Sequence, residues 1–144
     1  MIADLSGAIA DLKADEGTIL HAYQDHLGFW TIGTGRLIDK RRGGGISLEE
    51  SDFLLTNDIE GRVAGLLALY PWFALLDPIR QSAFVNLAFN LGIDGLAEFK
   101  QTLAAAKRSD WAGVGRGLMN SAWYGQVQAS RKERILRMVT KGHR

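Results

Sequence analysis

Leu5, Ile9 and Leu12 recur at helical spacing while Asp11 and Lys13 fall between them, which predicts a short amphipathic helix at the start of the chain. Asp4 or Ser6 is its candidate cap, and Gly17 stands where such a helix stops. From Leu20 to Leu37 the helical period disappears. Alternation, β-branched and aromatic residues, and the glycines 28, 33 and 35 predict a small hairpin or meander that turns at Gly28. Residues 40–45, KRRGGG, form a loop too short to hide another element.

Ser47 and Glu50 carry the S-x-x-E capping-box pattern. The helix it opens runs through Phe53, Leu54, Ile59, Val63, Leu66 and Leu67 and ends before Tyr70-Pro71-Trp72. Its glycines, Gly61 and Gly65, weaken it or admit a close neighbour. Asp77-Pro78 then reads as a cap followed by proline at the first helical position. The helix beyond is apolar on nearly all sides apart from Arg80, Gln81, Asn86 and Asn90, the pattern of a buried bundle centre, and Gly92 is its expected end. Further helices are expected at about 94–107, 109–119 and 129–140, with Ser109 and Ser130 as caps. These elements describe an α+β chain that is mainly α-helical, its small β region near the N-terminus.

Composition changes this picture little. The 144 residues are 47% hydrophobic and 23% charged, enough for a real core. The absence of cysteine excludes disulfides and thiolate catalysis. The first residues, MIADLSGAIADLKADEG, do not form a secretory signal, and no apolar run approaches the length of a membrane span. Charge is uneven: residues 1–60 hold eleven acids and five bases, residues 61–144 five acids and twelve bases. That asymmetry suits a polyanionic partner, whose attraction would weaken with rising salt, and equally suits an ordinary solvated surface.

The candidate chemistry lies in Glu16–Gly35. Glu16 and Asp25 are separated by eight residues across a chain reversal, and Thr31 follows six positions later on the returning strand. A carboxylic acid, a carboxylate and a hydroxyl able to hold water are the parts needed to hydrolyse a glycosidic bond. Two acids and a threonine at such spacing also occur on ordinary surfaces, so spacing alone leaves both readings open. His21, Asp25 and His26 do not make a metal set: neighbours in a strand point to opposite faces, and a fourth ligand is missing. The basic amphipathic stretch 131–139 reads as a helix that packs Ile135, Leu136, Met138 and Val139 and leaves its bases in solvent. A membrane or nucleic-acid contact is the weaker alternative.

Glu16-Gly17, Tyr23-Gln24-Asp25 and Gly28-Phe29-Trp30-Thr31-Ile32-Gly33-Thr34-Gly35 together resemble the signature of the phage-type lysozymes, the endolysins of glycoside hydrolase family 24. Residues 46–58, Phe89-Asn90-Leu91-Gly92, Trp111, Trp123 and Tyr124 extend the likeness over nearly the whole chain. The resemblance implies a two-lobed fold in which a β-hairpin lobe and a helical bundle are joined by a long helix. Residues 1–144 would be one lysozyme domain, with about 16–58 as the small lobe and linking helix, and about 59–144 with helix 1–15 as the helical lobe.

It further implies cleavage of the β-1,4 bond between N-acetylmuramic acid and N-acetylglucosamine in bacterial peptidoglycan, without metal or cofactor. Glu16 would be the general acid, Asp25 would place or activate water, and Thr31 would help hold that water. Inversion would need carboxylates about 6.5–9.5 Å apart. Leu37, Phe89 and Thr102 would line the saccharide cleft, and Arg131 would lie near Glu16. A monomer, host cytoplasmic accumulation and release through a separate holin are implied as well. The rivals are a lytic transglycosylase and a non-catalytic glycan-binding module.

Three positions depart from the family pattern. Arg36 replaces a histidine, and Asp58 is its expected partner. The loop after Lys40 is short. Gly117 replaces a cleft-lining asparagine.

Overall fold

The computed structural model describes residues 6–39, 41 and 43–144, so Asp4, Leu5, Lys40 and Arg42 lie outside it. Among the described residues the chain is a mainly helical α+β protein with seven α-helices and a three-stranded antiparallel sheet. Contacts divide it into two units, Met1–Phe53 and Leu54–Arg144.

In the first unit, α1 (Ser6–Glu16) ends as its sequence dictates. Gly17 adopts φ +70°, and its N–H donates to the Lys13 carbonyl at 3.0 Å, closing the helix with a left-handed residue. The chain then forms β1 (Ile19–Gln24), β2 (Trp30–Gly33) and β3 (Arg36–Leu37), paired in that order. Tyr23 faces Thr31 and Thr31 faces Leu37, while an irregularity separates the Ile19 and Tyr23 pairings. Gly28 makes the predicted turn at φ +82°. The alternation of β1 does not bury a face, and Leu20 is 85% exposed. Turn geometry therefore shapes this small sheet more than a core of its own does.

The capping box holds atom by atom. Ser47 Oγ accepts the Glu50 N–H at 3.1 Å, and Glu50 Oε2 accepts the Ser47 N–H at 2.8 Å. From there α2 (Leu48–Leu69) runs into the second unit, and a 3-10 turn, Pro71–Leu75, follows it.

The second unit is built around α3 (Pro78–Ala97), which buries Ala83, Phe84, Leu87, Ala88 and Leu96. Asp77 caps it through the N–H groups of Ile79 and Arg80. Three polar residues of α3 find partners on other helices. Arg80 Nε donates to the Val139 carbonyl, Asn90 Oδ1 accepts the Trp123 indole N–H at 2.8 Å, and Asn86 Oδ1 accepts from Arg131. Gly65 of α2 permits a close approach, since a Cβ there would stand 3.0 Å from the Ile93 side chain. The remaining helices are α4 (Lys100–Lys107), α5 (Trp111–Met119), α6 (Ala122–Gln126) and α7 (Ala129–Lys141). Ile135, Met138 and Val139 of α7 are buried as its amphipathic pattern requires.

Several expected boundaries are corrected. Gly92, at φ +75° and ψ 163°, ends the first helical run of α3 as expected, and a second run follows it to Ala97; the expected helix 94–107 is interrupted at Phe99, whose ψ of 50° is not helical. Asp110, not Ser109, caps α5. Ser109 adopts φ +61°, and the Asp110 carboxylate takes the Gly113 N–H at 2.8 Å. Ser130 lies inside α7, whose cap position is Gln128, with no side-chain hydrogen bond.

Candidate active site

The stretch from Glu16 to Gly35 folds as a helix end, a hairpin and the turn that leads into β3, all within the first unit. Glu16 is the last residue of α1 and is exposed. Its carboxyl lies against Gly35: a Cβ built there would meet Glu16 Cδ and Oε2 at 3.2 Å. Gly35 also adopts φ +69°, so glycine satisfies both the backbone and the space above it.

Asp25 closes the hairpin. Its Oδ1 accepts the N–H groups of Leu27 at 2.9 Å and Phe29 at 2.8 Å, and its own N–H donates to the Phe29 carbonyl at 2.9 Å. A short polar side chain that bonds the backbone two and four residues ahead is the reason aspartate suits this turn. One carboxylate oxygen is thus held by the turn, which orients the other. Thr31 is 4% exposed, and its Oγ1 donates to the Phe29 carbonyl at 3.0 Å. The hydroxyl keeps lone pairs able to accept from water. Asp25 and Thr31 are therefore brought together through Phe29, while Glu16 is placed by α1 and Gly35.

The other expected residues fall in both units. Leu37 pairs across the sheet with Thr31 and accepts the Gly45 N–H through its carbonyl. Phe89, in the second unit, lines a cavity of about 940 Å³ with Asn86 and Arg131. Thr102 is buried and lines a different groove, of about 650 Å³, together with Gly117 and Trp123. A Cβ at Gly117 would fall 2.1 Å from Thr102 Oγ1, so the threonine side chain fills the space next to that glycine. Arg131 directs Nε and Nη2 onto Asn86 Oδ1, at 3.0 and 2.8 Å.

The partner of Arg36 is corrected from Asp58 to Glu50. Its Nη1 and Nη2 meet the two Glu50 oxygens at 3.2 and 2.5 Å, and Nη1 also reaches the Gly45 carbonyl at 3.3 Å. The short loop is the cause: it ties Gly45 to Leu37 and so delivers the first turn of α2 to Arg36. Asp58 lies eight residues further, about 12 Å along the helix axis. The backbone hydrogen bond to Ser47, with help from Arg36, holds the Glu50 carboxyl below its ordinary value.

Asp39 and Arg41 were not foreseen as part of this region. The Arg41 guanidinium pairs with the Asp39 carboxylate and lies 3.6 Å from the centre of the Phe29 ring. The hydrogen bond from Arg41 lowers the Asp39 carboxyl. The same bond raises the Arg41 guanidinium against desolvation, and the charges of Asp39 and Asp25 add to that. An arginine following a lysine in a glycine-rich loop reads as solvated charge in the sequence, and the ring beneath it becomes visible only in the fold.

The chain is 28% identical to a probable T4-type lysozyme 1 of Dictyostelium discoideum, covering 91% of this chain and 92% of that protein. It is 27% identical to the probable T4-type lysozyme 2 of the same organism over similar shares. It is also 27% identical to the pre-baseplate central spike protein Gp5 of Enterobacteria phage T4, covering 92% of this chain but 27% of that protein. The phage lysozyme family model matches residues 13–134, and the chain belongs to that family: it is a mainly helical α+β lysozyme that hydrolyses peptidoglycan.

Proposed function

We propose that this enzyme cleaves the β-1,4 bond between N-acetylmuramic acid and N-acetylglucosamine by acid and base catalysis from Glu16, Asp25 and Thr31. Glu16 gives its proton to the glycosidic oxygen as the bond from C1 to that oxygen breaks. A water held by Thr31 attacks C1, and its proton passes to the Asp25 carboxylate, so that both products end in hydroxyls. The observation that carries this reading is the common anchoring of Asp25 and Thr31 on Phe29, which presents a carboxylate and a hydroxyl side by side.

Leu37, on the strand beside Thr31, and the half-exposed Phe89 are the proposed sugar contacts. Thr102, which lines a separate groove, is the third proposed contact. A monomer that gathers in the host cytoplasm and reaches the wall through a separate holin completes the proposal.

Wild type and Glu16→Gln incubated with purified peptidoglycan, with products identified by mass, test it. Reducing ends from wild type and little cleavage by the variant are expected. Equal cleavage by both would sink the mechanism, and anhydro-sugar products would turn the assignment to a lytic transglycosylase.

A further inference from the structure

The short segment after β3 is a built structure. The Gly45 N–H donates to the Leu37 carbonyl at 2.9 Å, and the Gly44 N–H donates to the Arg41 carbonyl at 2.8 Å. A Cβ at Gly44 would meet the Asp39 carbonyl oxygen at 2.3 Å and that of Arg41 at 3.0 Å, so only glycine allows the chain to fold this tightly. Within this turn Asp39 grips Arg41 twice. Its Oδ1 accepts the Arg41 backbone N–H at 3.0 Å, and its Oδ2 accepts Nε at 2.6 Å and also pairs with Nη2. Both the backbone and the guanidinium head of the arginine are thereby held, and the head lies over the Phe29 ring.

Phe29 is the residue on which the hairpin turn depends. Its N–H holds Asp25 Oδ1, and its carbonyl accepts from both Asp25 N–H and Thr31 Oγ1. Yet the turn is poorly covered: Leu27 is 65% and Phe29 36% exposed. A ring that sits at the surface while its backbone organises two functional side chains needs something to hold it. A guanidinium stacked on the ring face supplies that through cation–π attraction.

We propose that Arg41 is a positioning residue for Asp25 and Thr31: clamped by Asp39 and stacked on Phe29, it holds still the backbone that orients the carboxylate and the hydroxyl. This rests on the reading of Asp25 and Thr31 given above. A lone exposed arginine–aspartate pair contributes little to folding. The role assigned to Arg41 is therefore in the geometry of the reacting groups, and its loss should appear in turnover, not in binding or melting.

Arg41→Met, Arg41→Lys, Phe29→Leu and the double variant Arg41→Met/Phe29→Leu would be assayed on purified peptidoglycan, with thermal melts of each and Asp25→Asn in parallel. Arg41→Met is expected to lower kcat about tenfold with KM and melting temperature unchanged, since small displacements of reacting groups cost turnover. Arg41→Lys, which keeps a cation for the ring, should recover much of that loss. Phe29→Leu should lower kcat similarly, and the double variant should be little worse than either single one. A raised KM at unchanged kcat would make Arg41 a substrate contact and overturn the proposal. Full activity of Arg41→Met, or a melting loss that accounts for the change, would overturn it too. An inactive Asp25→Asn beside a fully active Arg41→Met defeats the positioning role alone, whereas a fully active Asp25→Asn defeats both readings.

Discussion

Asp25 and Thr31 meet on one residue: the Phe29 N–H donates to Asp25 Oδ1 at 2.8 Å, and the Phe29 carbonyl accepts from Thr31 Oγ1 at 3.0 Å. The sheet register adds a second constraint, because Thr31 pairs with Tyr23, two residues before Asp25. Fixing the hairpin therefore fixes both side chains together.

This arrangement separates fold from activity at Asp25. Asn keeps an oxygen able to accept the Leu27 and Phe29 N–H groups, so Asp25→Asn should retain the turn and melt near wild type. Its lysis rate should fall by about 10²-fold or more, the range lost with a general base. Thr31→Val removes one hydrogen bond, but Asp25 N–H still satisfies the Phe29 carbonyl. Its stability cost should be about 1 kcal/mol, with a larger relative loss of activity. Turbidity clearance of peptidoglycan beside urea melts decides both. A Thr31→Val enzyme that melts lower but lyses at the wild-type rate would remove the water-holding role.

Gly35 is expected to matter beyond its backbone angle. Gly33 and Gly35 both have positive φ, +67° and +69°, yet a Cβ at Gly33 meets nothing within 4 Å while one at Gly35 meets the Glu16 carboxyl. Each alanine substitution should cost about 1–2 kcal/mol of backbone strain. Gly35→Ala should in addition displace Glu16 and reduce activity well below that of Gly33→Ala. Equal activity in the two variants, measured at a temperature where both are folded, would argue that Glu16 does not depend on this contact.

Much of this region is legible in the sequence because local physics dictates it. Ser47 and Glu50 cap α2 as their spacing requires, Gly17 ends α1, and Asp77-Pro78 opens α3. What escapes the sequence are choices between neighbours and meetings of distant residues. Ser109 and Asp110 both have capping side chains, and the left-handed backbone at Ser109 hands the role to Asp110. Gly92 ends a helical run as its type suggests, but the break at Phe99 that divides the next expected helix has no glycine or proline to announce it. Arg36 has acids at positions 50 and 58 to choose from, and only the folded loop selects the nearer. Phe29 and Arg41 are twelve positions apart with no periodicity to join them.

The Arg36–Glu50 pair can be told from the sequence-based alternative by mutation and by pH. Glu50→Gln and Arg36→Met should each lower the melting temperature modestly, while Asp58→Asn should not. Glu50 and Asp77 both have folded-state values below their ordinary ones. At Asp77 partial burial works against ionisation, but hydrogen bonds from the Arg80 N–H and guanidinium and from the Ile79 N–H outweigh it. For a depressed carboxylate, stability is fully present above the unfolded value and is lost as pH falls through the folded one. The melting temperature should therefore be flat near neutrality with respect to these groups and decline in acid, below the ordinary values of 4.5 and 3.8. Asp77→Ala should cost about 1 kcal/mol near neutral pH as a lost helix cap, and should flatten part of the acid decline. A steeper acid decline in Asp77→Ala would contradict the assigned sign.

Gly117 and Thr102 should behave as a coupled pair. They lie on α5 and α4, and a Cβ at residue 117 would fall 2.1 Å from Thr102 Oγ1 and 3.2 Å from its Cβ. Thr102 is 5% exposed, so its side chain has little room to retreat. Gly117→Ala alone should destabilise the second unit by about 1–3 kcal/mol through overpacking, partly offset by the better helix propensity of alanine. Thr102→Ala removes the obstructing hydroxyl and methyl, so adding it to Gly117→Ala should restore part of the loss. That coupling would appear as non-additivity in a double-mutant cycle of urea melts. Additive costs in the cycle would mean that the backbone between α4 and α5 yields instead of the Thr102 side chain. With threonine at 102, the space next to the Gly117 Cα is already filled.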